Sequence, residues 1–157
     1  MTQSADKVAL VTAASAGIGE ACARELASRG YRVSLLARSE AVESLAAELG
    51  GLGTRGSVAD AGDVSRYVAA TLERFGRIDA VVNNSGHPAK GDLLALTDEQ
   101  WIEGFELLFL SVVRVMRLVV PAMLKQGGGS VVNVTSFATY SASVSGSSSA
   151  TRNESMF

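Results

Sequence analysis

A strand that runs into a glycine-bearing turn and out into a helix leaves a chain few folds to choose from. Here Val8-Ala9-Leu10-Val11 is apolar throughout, and Thr12-Ala13-Ala14-Ser15-Ala16-Gly17-Ile18-Gly19 follows it. Ile18, Cys22 and Leu26 then fall four apart on one face of a helical pattern. A strand without polar alternation is covered on both faces, as in parallel sheets. A helix entered in this way aims its unpaired N–H groups and partial positive charge at the turn, where glycines let an anion approach the backbone. The construction suits a dinucleotide pyrophosphate. A tight strand-to-helix turn with no ligand is the alternative.

The same alternation continues along the chain. Strand-like runs lie at Val8–Val11, Tyr31–Leu36, Arg55–Ala59, Ala80–Val82 and Ser130–Val134, and helical patterns at Gly17–Arg29, Glu40–Leu49, Asp63–Phe75 and Asp98–Lys125. Strands separated by helices predict parallel strands joined by right-handed crossovers, hence an α/β domain. Thr97 is placed to cap the long helix, with Gln100 three residues on as its capping-box partner. Residues 1–140 form the expected domain. Ser141 to Ser149 has six serines and no hydrophobic period, so 141–157 reads as a flexible tail or as the start of a further part of the fold.

The bulk properties exclude several classes of function. The 157 residues suffice for one domain, and 47% hydrophobic with 19% charged residues fits a globular chain. A net charge of −2 gives no cause to expect nucleic acid or an anionic membrane as partner. Cys22 is the single cysteine and lies on the inner face of the first helix. With a polar Met1 to Lys7 and no secretory signal, it suits a cytoplasmic protein. Phe105 to Leu124 is apolar enough to raise a membrane span, but Glu106, Arg114 and Arg117 interrupt it, so a buried helix is expected. No metal site is expected.

The glycine turn resembles the T-G-x-x-x-G-I-G turn of the short-chain dehydrogenase/reductase family, with Ala13 at the first glycine. Asn83-Asn84-Ser85-Gly86 resembles that family's N-N-A-G motif, and Val132-Asn133-Val134-Thr135-Ser136 its I-N-I-S-S segment. The resemblance covers about residues 7 to 137 and implies a Rossmann-type doubly wound sheet of five strands in order 3-2-1-4-5, with the sheet cut short there. It also implies hydride transfer between a nicotinamide cofactor and a carbonyl or alcohol substrate. Thr12, Ala13, Ser15, Gly17, Ile18 and Gly19 would hold the pyrophosphate, and Asn83, Asn84, Ser85 and Gly86 would pass beside the ribose. Asp60, closing the third strand, would bond the adenine amino group with Ala61 beside the ring; an N-cap for the next helix is the equal alternative. Ser136 would contact the substrate oxygen. At the end of the second strand an NAD site wants a carboxylate, where this chain has Ala37, followed by Arg38 and Ser39. A guanidinium binds phosphate, so the expected cofactor is NADP(H), with NAD second.

Two parts of the family's proton relay depart from its pattern. In the register of its tyrosine and lysine stand Ser148 and Arg152, weak candidates because a hydroxyl is a poorer acid than a phenol and arginine does not deprotonate. Tyr140 has Val144, not a lysine, one helical turn on. Leu108 occupies the place of a helix asparagine that orders the relay water. On the same resemblance, the family's next strand–helix–strand unit, which builds the substrate pocket, would be expected beyond residue 157. The expectation is an NADP(H)-dependent oxidoreductase by lineage with impaired catalysis; the alternative is a non-catalytic dinucleotide-binding or partner-binding module. The apolar helix at 101–124 is expected to form a homo-oligomer.

Overall fold

The computed structural model describes residues 7–91 and 94–135. Five parallel strands, β1 (Val8–Thr12), β2 (Arg32–Ala37), β3 (Leu52–Arg55), β4 (Ala80–Asn83) and β5 (Ser130–Asn133), form one sheet in the order β3-β2-β1-β4-β5. That order is the expected one. Helices α1 (Gly17–Ser28), α2 (Ala41–Glu48) and α3 (Ala61–Phe75) make the first crossovers. The last is a long helix of three parts, α4 (Asp98–Phe105), a π turn (Glu106–Leu110) and α5 (Ser111–Lys125).

Side chains alternate across the central strand. Val8 and Leu10 join Tyr67, Ile78, Val115 and Val119 on the face covered by α3 and α5, while Val11 joins Ala23, Val33, Val42 and Leu45 on the α1–α2 face. Each fully buried aliphatic side chain contributes about 1.5–3 kcal/mol, and all five residues of β1 are buried. Tyr67 drives its phenol into this packing. The hydroxyl donates to the Ser34 carbonyl at 2.6 Å and accepts from the Val11 amide at 3.1 Å. Burial holds that phenol above its ordinary titration range despite the opposing bonds. Beside it, Thr71 donates to the Tyr67 carbonyl at 2.8 Å and meets the Ser34 hydroxyl at 2.7 Å.

Three expectations are corrected. The third strand ends at Arg55 rather than beginning there. Its Gly53 is compelled by close packing, since a Cβ there would lie 2.8 Å from Glu43 Cα and 2.9 Å from the Val42 carbonyl oxygen. Ile18 does not share the inner face with Cys22 and Leu26. It is 60% exposed, whereas the other two pack against the core. The long helix is not a buried one. Only Ser111, Val115, Val119 and Met123 form its buried line, and α4 buries no residue. Asp98–Lys125 is long and apolar enough to cross a membrane by length and composition, yet here α5 lies against α3. The Thr97–Gln100 capping box is present in both directions.

Candidate functional site

All strands point their C-terminal ends to one edge of the sheet, and in such folds ligands lie where the strand order reverses. Between β1 and β4 that edge opens into a cleft of about 710 Å³. Its floor is the turn after β1. Ala14 donates its amide to the Leu36 carbonyl at 3.2 Å. Thr12 Oγ1 donates to the Asn84 carbonyl at 2.6 Å and accepts from the Asn84 amide at 2.9 Å. The Asn84 side chain donates to the Ala13 carbonyl at 3.3 Å. These bonds tie the turn to β4 across more than seventy residues of sequence.

Backbone geometry in the turn has a cost and a use. Ala13 adopts φ 48°, the left-handed region, where a Cβ is unfavourable. Gly19 admits no side chain, because a Cβ would collide with the Ala13 carbonyl oxygen and stand 2.9 Å from Asn84 Nδ2. At Gly17, by contrast, a Cβ would meet nothing within 4 Å, so the start of α1 faces open space. Its first amides lack intrahelical acceptors, and no side chain caps them. An anion fits there.

The walls come from three places. Ala37, Arg38 and Ser39 follow β2, Gly56 to Ala59 follow β3, and Ser85, Gly86 and His87 follow β4, with Glu103 and Leu107 of the long helix closing the far side. Among the described residues the Arg38 guanidinium makes no hydrogen bond or ion pair, and its Nη2 would lie 3.9 Å from a Cβ at Gly86. An unpaired cation spanning the mouth suits a phosphate. The Asp63 carboxylate holds the Gly56–Ala59 wall, accepting from the Ser57 amide at 2.8 Å and from Arg66 at 2.8 Å. These bonds, the Ser57 amide first, keep its carboxyl below the usual aspartate range.

Of the residues expected to bind a cofactor, Ala13, Ser15, Gly17, Ile18, Arg38, Ser39, Asn84, Ser85 and Gly86 line the cleft. Thr12, Gly19 and Asn83 lie beneath it as supports. Asn83 is 5% exposed and donates to Asn133 Oδ1 at 2.8 Å, while its own Oδ1 has no partner among the described residues. Asp60 and Ala61 do not line the cleft. With β3 ending five residues earlier, Asp60 caps α3, its Oδ1 accepting from the Asp63 amide at 2.8 Å. Gly56 to Ala59 line the cleft on that side instead, and the apolar Val58 after the glycine was the available signal. Glu103 and Leu107 were also missed, although their spacing of four sets them on one helix face. Ser136, Tyr140, Ser148 and Arg152 lie outside the described residues. Leu108 is 50% exposed within the π turn.

Known proteins with this arrangement agree on its class. The pattern of the short chain dehydrogenase family matches residues 7–151. Dehydrogenase/reductase SDR family member 4 of Oryctolagus cuniculus is 40% identical over 145 residues, covering 87% of this chain and 55% of that protein. The 3-oxoacyl-acyl-carrier-protein reductase of a Synechocystis strain is 37% identical over 145 residues, 88% of this chain and 59% of that one. A variant actinorhodin polyketide ketoreductase crystallised with NADPH superposes with a TM-score of 0.83 at 36% identity, over 92% of this chain and 58% of that one. The chain thus spans about half the length of the curated relatives it matches.

Proposed function

The chain belongs to the short-chain dehydrogenase family, and from that premise we propose that its cleft binds NADP(H) for hydride exchange with a carbonyl or alcohol substrate. The observation that carries the cofactor reading is Arg38, a guanidinium without a partner among the described residues, beside Ala37 where an NAD site would hold a carboxylate. The amides at the start of α1 would hold the pyrophosphate, Arg38 and Ser39 the 2′-phosphate, and Gly56 to Ala59 the adenine side. The NADPH of the actinorhodin ketoreductase structure supports the same choice. When bound, the dihydronicotinamide supplies a hydride to the substrate carbon, and the substrate oxygen takes a proton.

That proton is where this chain is weak. Leu108 gives the π turn an aliphatic side chain that orders no water, and Ser148 is a feebler acid than a phenol, which itself titrates near ~10. Ser136 would hold the substrate oxygen. We therefore read the chain as an oxidoreductase by lineage with impaired turnover, and Leu108 is also the observation favouring the second reading, a dinucleotide-binding module without catalysis. The exposed apolar residues of the long helix support a homo-oligomer, and a cytoplasmic setting completes the proposal.

Calorimetry with NADPH and NADH is the test. NADPH should bind more tightly, and Arg38→Ala should remove about 1.5–3 kcal/mol of that preference. Equal affinities in the parent chain would overturn the assignment. A screen over ketones and alcohols showing turnover in the usual range of about 1–1,000 s⁻¹ would overturn the impaired relay.

A further inference from the structure

We infer that Arg114 is a positioning residue that fixes the width of the cleft by strapping its β3-side wall to the helix forming the opposite wall. The inference rests on the reading of the cleft as a dinucleotide site. Arg114 lies in the first turn of α5. Its Nη1 donates to the Ala59 carbonyl at 2.5 Å, fifty-five residues away in sequence, and its Nη2 lies 3.5 Å from Glu106 Oε1. The side chain is 23% exposed, so its charge is largely withdrawn from water and needs those acceptors.

The other bonds on this wall come from β2, α3 and the segment itself. Gly56 donates to the Ala37 carbonyl at 2.9 Å, Ser57 to Asp63 at 2.8 Å and Ala59 to Ser57 Oγ at 3.2 Å. They fold the Gly56–Ala59 segment upon itself and hold it to the end of β2 and to α3. Among the described residues, Arg114 alone reaches it from across the cleft. The helix that carries Arg114 also presents Leu107 and Glu103 to the same space. Leu107 belongs to the π turn, which follows Glu103 and precedes Arg114, and one extra residue in a turn sets every later side chain back by about 100° around the axis. The π turn therefore sets the heading that brings Arg114 to Ala59. A strap of this kind matters most to a ligand that touches both walls at once.

Three probes separate this role from general support of the fold: NADPH, adenosine 2′,5′-bisphosphate and nicotinamide mononucleotide, each titrated into the full chain by calorimetry. Arg114→Met, which keeps the stem and loses every donor, should weaken NADPH about tenfold, the worth of one charge-assisted bond. Each half-ligand should stay within about twofold of its parent value, because neither spans both walls. Arg114→Lys keeps one donor and should lose about threefold on NADPH alone; it carries the test if the methionine variant does not fold, as thermal melts will show. Unchanged NADPH affinity in the variants, or equal losses on all three probes, would overturn the strap while leaving the cofactor reading intact. A parent chain that binds none of the probes would overturn the cofactor reading, and the strap with it.

Discussion

The middle of the sheet and its β5 edge are built to different standards. Around β1 and β2 almost every strand residue is buried, and helices cover both faces. At the edge all four residues of β5 are exposed, α4 buries none, and Val132, Phe105 and Phe109 are each more than half exposed. The cleft opens from the first region, whose turn, supports and walls are closed by bonds within the chain. The second region displays apolar surface that, in water, forfeits about 1.5–3 kcal/mol for each large side chain. Sequence alone makes both regions look alike, since both are rich in valine and leucine. What separates them is whether the chain supplies something to pack on.

The contrast breaks first at the turn. Gly19→Ala should cost about 3 kcal/mol of stability, because the new methyl meets the Ala13 backbone as well as the Asn84 side chain. Urea unfolding would measure it, and an unchanged midpoint would mean that the turn yields where it is described as closed. The next largest effect belongs to the open region. Phe105 and Phe109 stack at 5.2 Å between centroids while standing in solvent. Phe109→Glu should weaken self-association by about 1.5–3 kcal/mol and alter folding stability by less than about 0.5 kcal/mol. Sedimentation over a range of concentrations gives the first number and denaturation the second. A larger loss in stability than in association would place Phe109 in the core.

Smaller effects sharpen the picture of the cleft. Ala13 stands at positive φ, so Ala13→Gly should stabilise the chain by about 0.5–1 kcal/mol, the reverse of the usual sign for that replacement. The smallest effect varies with pH. Asp63 has its carboxyl lowered by the Ser57 amide and by Arg66, so its contribution is complete above the unfolded aspartate value of about 3.9 and is lost as pH falls through the lower folded value. Asp63→Asn should lower stability slightly across the neutral range and converge with the parent chain in acid, which flattens that limb. Amide exchange of Ser57, followed by NMR, reports it directly, and an identical acid limb in the variant would assign the loss to another group.

Much of this was legible beforehand. The capping box at Thr97 follows from spacing, and the strand order and nine of the cleft-lining residues follow from the family resemblance. The third strand was misplaced because its Leu52-Gly53-Thr54 carries a glycine, a poor strand former, at the point where α2 packs against it. That error carried Asp60 and Ala61 into the site and left Ser57 and Val58 out. The π turn was invisible for a different reason. An inserted residue leaves an all-round apolar pattern unchanged, so no period in 105–120 could mark it. Arg114 looked like an interruption of an apolar run, and only the fold brings it to Ala59.

The strand order also has a consequence in time. Central β1 is made first, gains β2 as soon as residue 37 is available, and must wait for β4 at residue 80 to cover its other edge. At about 5–20 residues per second that interval is roughly 2–9 s of synthesis. Throughout it, a strand whose side chains are apolar on both faces presents unsatisfied amides and carbonyls along one side. Any slowing of translation between residues 40 and 80 lengthens that window, and synonymous codon choice there becomes a determinant of yield for a chain whose finished fold is insensitive to it.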